Sequence, residues 1–105
     1  MTPKARLHIH THKGPNDTAY IVGEKSALRA LSDALKGAAN GVAGLETVTL
    51  YTSDGHAYNL VVSSDVSEEE WQDLKPSYDK HSDPTTLRTI EIYKEFKQSQ
   101  DHLLK

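Results

Sequence analysis

The sequence has 105 residues, 36% hydrophobic and 26% charged, which is typical of one folded domain and argues against a disordered chain. Its formal charge of −3 comes without a clustered basic segment, so nucleic acid is not an expected partner. The lack of cysteine excludes disulfides, thiolate catalysis and cysteine-bearing zinc modules. No stretch has signal-peptide or membrane-spanning character, so we expect a single cytoplasmic domain over residues 1–105, with no membrane association.

The first predicted element is a β-strand with three alternating histidines. In residues 7–12, of sequence LHIHTH, strand geometry places His8, His10 and His12 on one face and the intervening residues on the other. A turn cluster follows, and then a second β-rich segment over residues 18–22. The two segments predict an N-terminal hairpin.

An amphipathic helix is predicted over residues 24–39, because its apolar residues recur at helical spacing. The predicted inner stripe consists of Ala27, Leu28, Leu31, Ala34, Leu35 and Ala38. Asn40 and Gly41 mark the end of the helix, with Gly41 expected in a left-handed conformation.

A second hairpin is predicted from strands over residues 46–52 and 57–63, joined around Asp54-Gly55. A two-residue turn would place Tyr51 opposite Tyr58 and leave neither face of the hairpin plainly polar. We therefore expect cover on both faces, from a helix on each or from a second subunit.

The C-terminal part predicts two helices. Ser67 and Glu70 form a capping-box pattern that starts a short helix carrying Trp71. Asp83 and Pro84 start a last helix over about residues 84–100, which packs on the sheet or on a partner subunit. Its predicted inner stripe is Leu87, Ile90, Tyr93 and Phe96. The whole pattern predicts an α+β fold in the order ββαββαα, with a small antiparallel sheet of about four strands.

The histidine strand has two interpretations. Three imidazoles on one flat strand converge poorly on a metal, so a zinc or other transition-metal site would need another ligand, such as His56, Asp54 or Asp17. The motif resembles the strand-borne His-x-His of amidohydrolases and of the polymerase-and-histidinol-phosphatase family, which complete their sites with large barrels that this chain is too short to form. We favour a solvated strand face without a cofactor, and keep metal binding or metal-dependent hydrolysis as the alternative.

No catalytic residue is assigned, because the sequence has no nucleophile-elbow serine, phosphate loop or dinucleotide motif. Asp54 and His56 are explained by the turn that they flank. Among the aromatic residues, Trp71 and Tyr93 lie on helical stripes where core packing is the favoured interpretation, and Tyr51 and Tyr58 are open to ligand stacking.

Residues 20–31 (YIVGEKSALRAL) and residues 53–60 (SDGHAYNL) resemble segments of small uncharacterised bacterial and phage proteins and, more faintly, of immunity proteins of bacterial toxin systems. The resemblance implies a prokaryotic or phage accessory protein that works by binding. We therefore expect a non-enzymatic protein that occludes a protein partner or captures a small ligand, and homo-oligomerisation fits its semi-apolar hairpin. The candidate binding residues are His8, His10, His12, Tyr51, Tyr58 and Trp71.

Overall fold

The computed structural model describes residues 5–103, so residues 1–4 and 104–105 of the predicted domain lie outside the described part. The elements are β1 (Leu7–His10), β2 (Tyr20–Gly23), α1 (Lys25–Asn40), β3 (Leu45–Tyr51), β4 (Ala57–Ser63), α2 (Glu68–Asp73), a 3-10 turn (Pro84–Thr86) and α3 (Arg88–Leu103). This content confirms the α+β class. Within the described range, no helix combines the length and the apolar composition that a membrane crossing needs.

The strands form two small sheets, which corrects the expectation of one sheet of about four strands. β1 pairs antiparallel with β2, and β3 pairs antiparallel with β4. A parallel bridge between Arg6 and Tyr51 brings the two sheets together, and the Tyr51 N–H donates to the Ala5 carbonyl at 3.0 Å. β1 therefore runs beside the end of β3 for one residue pair, and the two strands then diverge.

The β3–β4 hairpin has a register one residue away from the predicted one. Leu50 lies opposite Tyr58, and Tyr51 lies opposite Ala57, so the predicted Tyr51–Tyr58 pair is wrong. The cause is the turn: the Thr52 N–H donates to the His56 carbonyl at 2.9 Å, which extends the ladder by one pair. The remaining loop has three residues, and Gly55 takes a left-handed conformation with φ of 89°. A shift of one residue in the pairing moves every side chain of one strand to the opposite face relative to its partner strand.

The core lies between α1 and one face of the β3–β4 hairpin. Its buried residues are Leu7, Ala27, Leu31 and Leu50, and Val48, Tyr58 and Leu60 pack around them. The alanines at 27, 34 and 38 are buried and let α1 approach the strands closely, whereas Leu28 and Leu35 of the predicted stripe are exposed.

The middle of the other face of the β3–β4 hairpin is polar, because the observed register places Thr47, Thr49 and Asn59 next to one another there. All three side chains are exposed, and Thr49 Oγ1 donates to Asn59 Oδ1 at 3.0 Å. The first turn of α3 packs against the end of this face through Thr89 and Ser63, and Tyr51 and Val61 on the same face are half-buried. Cover of the rest of this face, and self-association through this hairpin, stay predictions.

Glu70 connects the two C-terminal helices. The predicted capping box is confirmed, since Ser67 Oγ accepts from the Glu70 N–H and Glu70 Oε1 accepts from the Ser67 N–H. Its other oxygen, Oε2, accepts from the Arg88 N–H at 2.8 Å, at the start of α3. The backbone N–H groups of Ser67 and Arg88 hold the pKa of Glu70 below its usual value, so the carboxylate is ionised at neutral pH.

The last helix begins later than predicted. Asp83 and Pro84 start a 3-10 turn, and Leu87 then takes an extended conformation, with ψ of 138°, before α3 begins. This break buries Leu87 and lets Thr89 Oγ1 hydrogen-bond with Ser63 Oγ of β4 at 2.6 Å. α3 therefore packs on β4 through its first turn. Further along the predicted stripe, Phe96 is exposed.

Candidate ligand cleft at the edge of β1

An open cleft of about 450 Å³ lies where β1 diverges from the β3–β4 hairpin. Three of the predicted binding residues meet there, His8, His10 and Tyr58. The cleft is lined by Leu7, His8, Ile9 and His10 of β1, by Thr52, Ser53 and Asp54 of the turn, and by Tyr58 of β4. The lining combines aliphatic surface with two imidazoles and one carboxylate.

Leu7 and Tyr58 hold β1 in position. The Leu7 side chain is buried in the core, and its carbonyl oxygen accepts a hydrogen bond from the Tyr58 hydroxyl at 2.6 Å. Burial raises the pKa of Tyr58 above its usual value of 10.0, which keeps the phenol protonated and able to donate. Sequence alternation correctly places Leu7 on the inner face of the strand.

The two histidines of β1 are in contact with each other. The rings of His8 and His10 meet edge-to-face, with their centroids 5.9 Å apart. Nε2 of His8 accepts a hydrogen bond from the Ser53 N–H at 3.0 Å. His8 thereby joins β1 to the turn between β3 and β4, and His10 remains exposed at the mouth of the cleft.

Asp54 supplies the negative charge of the cleft. The Thr52 hydroxyl donates to Asp54 Oδ1, and this bond, followed by the backbone N–H of His56, lowers the pKa of the carboxyl group. The carboxylate is therefore ionised at neutral pH. Nε2 of His56 lies 3.9 Å from Asp54 Oδ2, which is too long for a hydrogen bond, and both side chains are exposed. These two residues make no acid–base pair.

The backbone of β1 also faces the cleft. The Glu24 N–H donates to the Arg6 carbonyl at 3.0 Å, which fixes Arg6–Glu24 and His8–Val22 as the hydrogen-bonded pairs of the N-terminal hairpin. In an antiparallel ladder the alternate residues direct their N–H and C=O groups outwards. The Leu7 carbonyl points towards the Tyr58 hydroxyl, and the N–H and C=O groups of Ile9 therefore point away from β2 on the side of the cleft.

The other predicted site residues lie elsewhere. The ring of His12 packs against Tyr78, with centroids 5.1 Å apart, and Tyr51 lies on the face of β3 opposite to that of Leu50 and Tyr58. Trp71 of α2 is exposed, so the core position favoured for it is wrong, although it does not reach the cleft lining.

Only some of the predicted metal ligands are brought together: His8, His10 and Asp54 line the cleft. Asp17 accepts from the Lys13 N–H at 3.1 Å in the first turn, and its carboxylate is committed there. Among the side chains that the structure describes, those of residues 5–100, no three histidine, aspartate or glutamate residues are grouped closely enough to hold a metal ion. Zinc binding by His8, His10 and His12 stays a prediction.

The fold and the cleft define a small α+β protein with an open strand edge beside a charged turn. Comparisons with protein-family models, with curated proteins and with solved structures return no match for this chain.

Replacing Tyr58 by phenylalanine is expected to lower the free energy of unfolding by about 1 to 2 kcal/mol, because the Leu7 carbonyl loses its donor. The raised pKa also has a consequence at alkaline pH. The partly buried Tyr58 hydroxyl stabilises the folded state fully below the pKa of about 10 that it has in the unfolded chain. This stabilisation is lost as the pH rises through the higher pKa of Tyr58 in the folded state. Urea denaturation between pH 8 and 11 should therefore show the two proteins converging in stability. A difference that widens with pH would contradict this assignment.

Proposed function

We propose that this chain is a non-enzymatic binding protein that captures an extended peptide segment of a partner protein in the cleft at the edge of β1. The proposal rests on Ile9, which lines the open cleft beside the ionised Asp54 carboxylate and whose N–H and C=O the ladder directs away from β2. Strand addition to a free sheet edge is an established mode of peptide recognition. The backbone supplies affinity, and the flanking side chains supply specificity.

The position of β3 supports this mode of binding. β3 itself occupies the first part of the β1 edge, where Tyr51 donates to Ala5. At Thr52 the chain turns away, and the edge from His8 to His10 continues without it. A strand advances about 3.3 Å per residue, so a peptide of roughly three or four residues would fill the remaining edge.

The charge of the turn supports a preference for a basic residue in the peptide. Asp54 is the one acidic side chain that lines the described cleft, and the pKa of its carboxyl group is lowered. Ile9 and Tyr58 offer apolar contact for the neighbouring residues of the peptide. An extended peptide that alternates one Lys or Arg with β-branched residues therefore fits this lining best.

The test uses two peptides that differ in one charge, acetyl-Thr-Val-Lys-Val-Thr-amide and the same peptide with Glu in place of Lys. We expect the Lys peptide to shift the backbone amide resonances of Ile9, His10 and Ser53 in a ¹⁵N-edited NMR titration. Its affinity should exceed that of the Glu peptide by roughly two- to fivefold, the scale of one exposed charge pair.

Asp54→Asn should remove this difference between the peptides, while the matched variant Asp73→Asn, an exposed aspartate of α2 outside the cleft, should retain it. Peptide binding without charge preference would support the strand-edge site and contradict the role of Asp54. If neither peptide perturbs the cleft resonances, the proposal of peptide capture fails.

The sequence resemblance implies a bacterial or phage setting for such a protein. An immunity-type or phage-accessory protein would act by occluding such a segment of its target. None of the comparisons matches this chain, so this role rests on the sequence resemblance alone and stays a prediction.

A further inference from the structure

The opposite edge of the N-terminal hairpin carries three large apolar side chains in a row. Tyr20, Ile21 and Val22 of β2 are 59%, 55% and 62% exposed, respectively. β2 pairs with β1 on one side and forms the outer edge of its two-stranded sheet on the other. An exposed, uncharged edge strand of this kind is a template for pairing with another strand.

The hydrogen-bonding direction of this edge follows from the same ladder. Because His8–Val22 is a hydrogen-bonded pair, the N–H and C=O groups of Ile21 and Gly23 point away from β1. Ile21 shares one face of the hairpin with Ile9, and Tyr20 and Val22 share the other face with the histidines. The outer edge thus presents backbone groups at Ile21 with apolar side chains on both faces.

We infer that β2 binds β2 of a second copy of this chain, antiparallel about a two-fold axis at Ile21. In this register Ile21 exchanges both backbone hydrogen bonds with its counterpart, and each Tyr20 lies opposite Val22 of the other copy. Aromatic residues opposite β-branched residues are favourable cross-strand pairs. The strand is self-complementary because its sequence is apolar on both sides of Ile21 and contains no charge that a two-fold axis would place against itself.

The pairing joins two hairpins into one four-stranded sheet with β1 at each outer edge. One face then carries a continuous row of Ile9 and Ile21 from both copies, in which neighbouring side chains bury the flanks that they turn to each other. The cleft lies on the far side of β1 and stays open in the dimer. The dimer does not depend on the proposed peptide binding.

Sedimentation equilibrium across a range of protein concentrations tests this inference. We expect a mass that rises from monomer towards dimer, and a dissociation constant that Ile21→Lys increases by about tenfold or more, since the apolar contact occurs at the axis in both copies. Ile92→Lys is the matched control, because Ile92 of α3 is also 55% exposed but lies outside the hairpin.

A second variant, Ile21→Pro, removes the outward N–H and leaves the hydrogen bonds between β1 and β2 in place. It should also give a monomer, and circular dichroism checks that each variant is folded. A monomeric wild-type chain at the highest concentration overturns the inference. It is likewise overturned if Ile92→Lys weakens the dimer as much as Ile21→Lys, or if both folded Ile21 variants still dimerise.

Discussion

Replacing Leu7 by alanine is expected to lower the free energy of unfolding by about 2 to 5 kcal/mol, the range for truncating a fully buried leucine. Leu7 is 1% exposed and contacts the cluster formed by Ala27, Leu31 and Leu50. It also lies over Gly23, where an added Cβ would come within 3.0 Å of Leu7 Cδ1. The truncation leaves a cavity that the small alanines of α1 cannot fill. Urea denaturation followed by circular dichroism measures the loss.

The control for this prediction is Leu28→Ala on α1. Leu28 is exposed, and alanine is at least as good a helix former, so its effect should stay below about 1 kcal/mol. Because Leu7 is the buried residue of β1, its truncation should also loosen the N-terminal hairpin and weaken peptide binding in the cleft. Equal losses of stability in the two variants would contradict the assignment of Leu7 to the core.

Elements with strong local signals were predicted close to their observed bounds. The capping box at Ser67 and Glu70 needs only the first turn of its own helix, and a predicted helix over 24–39 became α1 over Lys25–Asn40. Periodicity alone does not show which of Ala27 and Leu28 faces the core, because that depends on how closely α1 approaches β3. Small residues fill that interface, and the larger leucines beside them face solvent.

The register of the second hairpin shows where local reasoning fails. Asp54-Gly55 predicts a two-residue turn, but pairing of Thr52 with His56 leaves three residues in the loop. That difference of one residue changes which β3 side chains share a face with those of β4. It removes the predicted Tyr51–Tyr58 pair, places Tyr58 on the face of Leu50 and towards Leu7, and groups Thr47, Thr49 and Asn59 on the opposite face.

The site could be predicted only in part for a related reason. Alternation in residues 7–12 identifies a strand with outward histidines, and two of them do reach the cleft. The contribution of Ile9 was missed, because an open backbone edge depends on which strand lies beside β1 and where that neighbour ends. The contact between His8 and Ser53 joins residues 45 positions apart, and no pattern in the sequence signals it.

The second large effect is expected at Gly44, which connects α1 to β3. Its φ is +65°, in the left-handed region, whereas Gly41, for which the sequence predicts that conformation, is extended with φ of −80°. A Cβ at Gly44 would lie 2.9 Å from the Asp65 Cβ and 3.1 Å from Ser64 Oγ. The turn cannot shift freely, because the Gly44 carbonyl accepts from the Ser64 N–H at 2.8 Å.

Gly44→Ala is therefore expected to cost about 1 to 3 kcal/mol of stability, from the strained backbone and the crowded side chain together. Gly14→Ala is the matched control, because an added Cβ there meets nothing within 4 Å. It should leave stability unchanged or raise it slightly, since alanine restricts the unfolded chain. Thermal denaturation of both variants separates the two cases. If the two substitutions have the same effect, the strain and crowding assigned to Gly44 are contradicted.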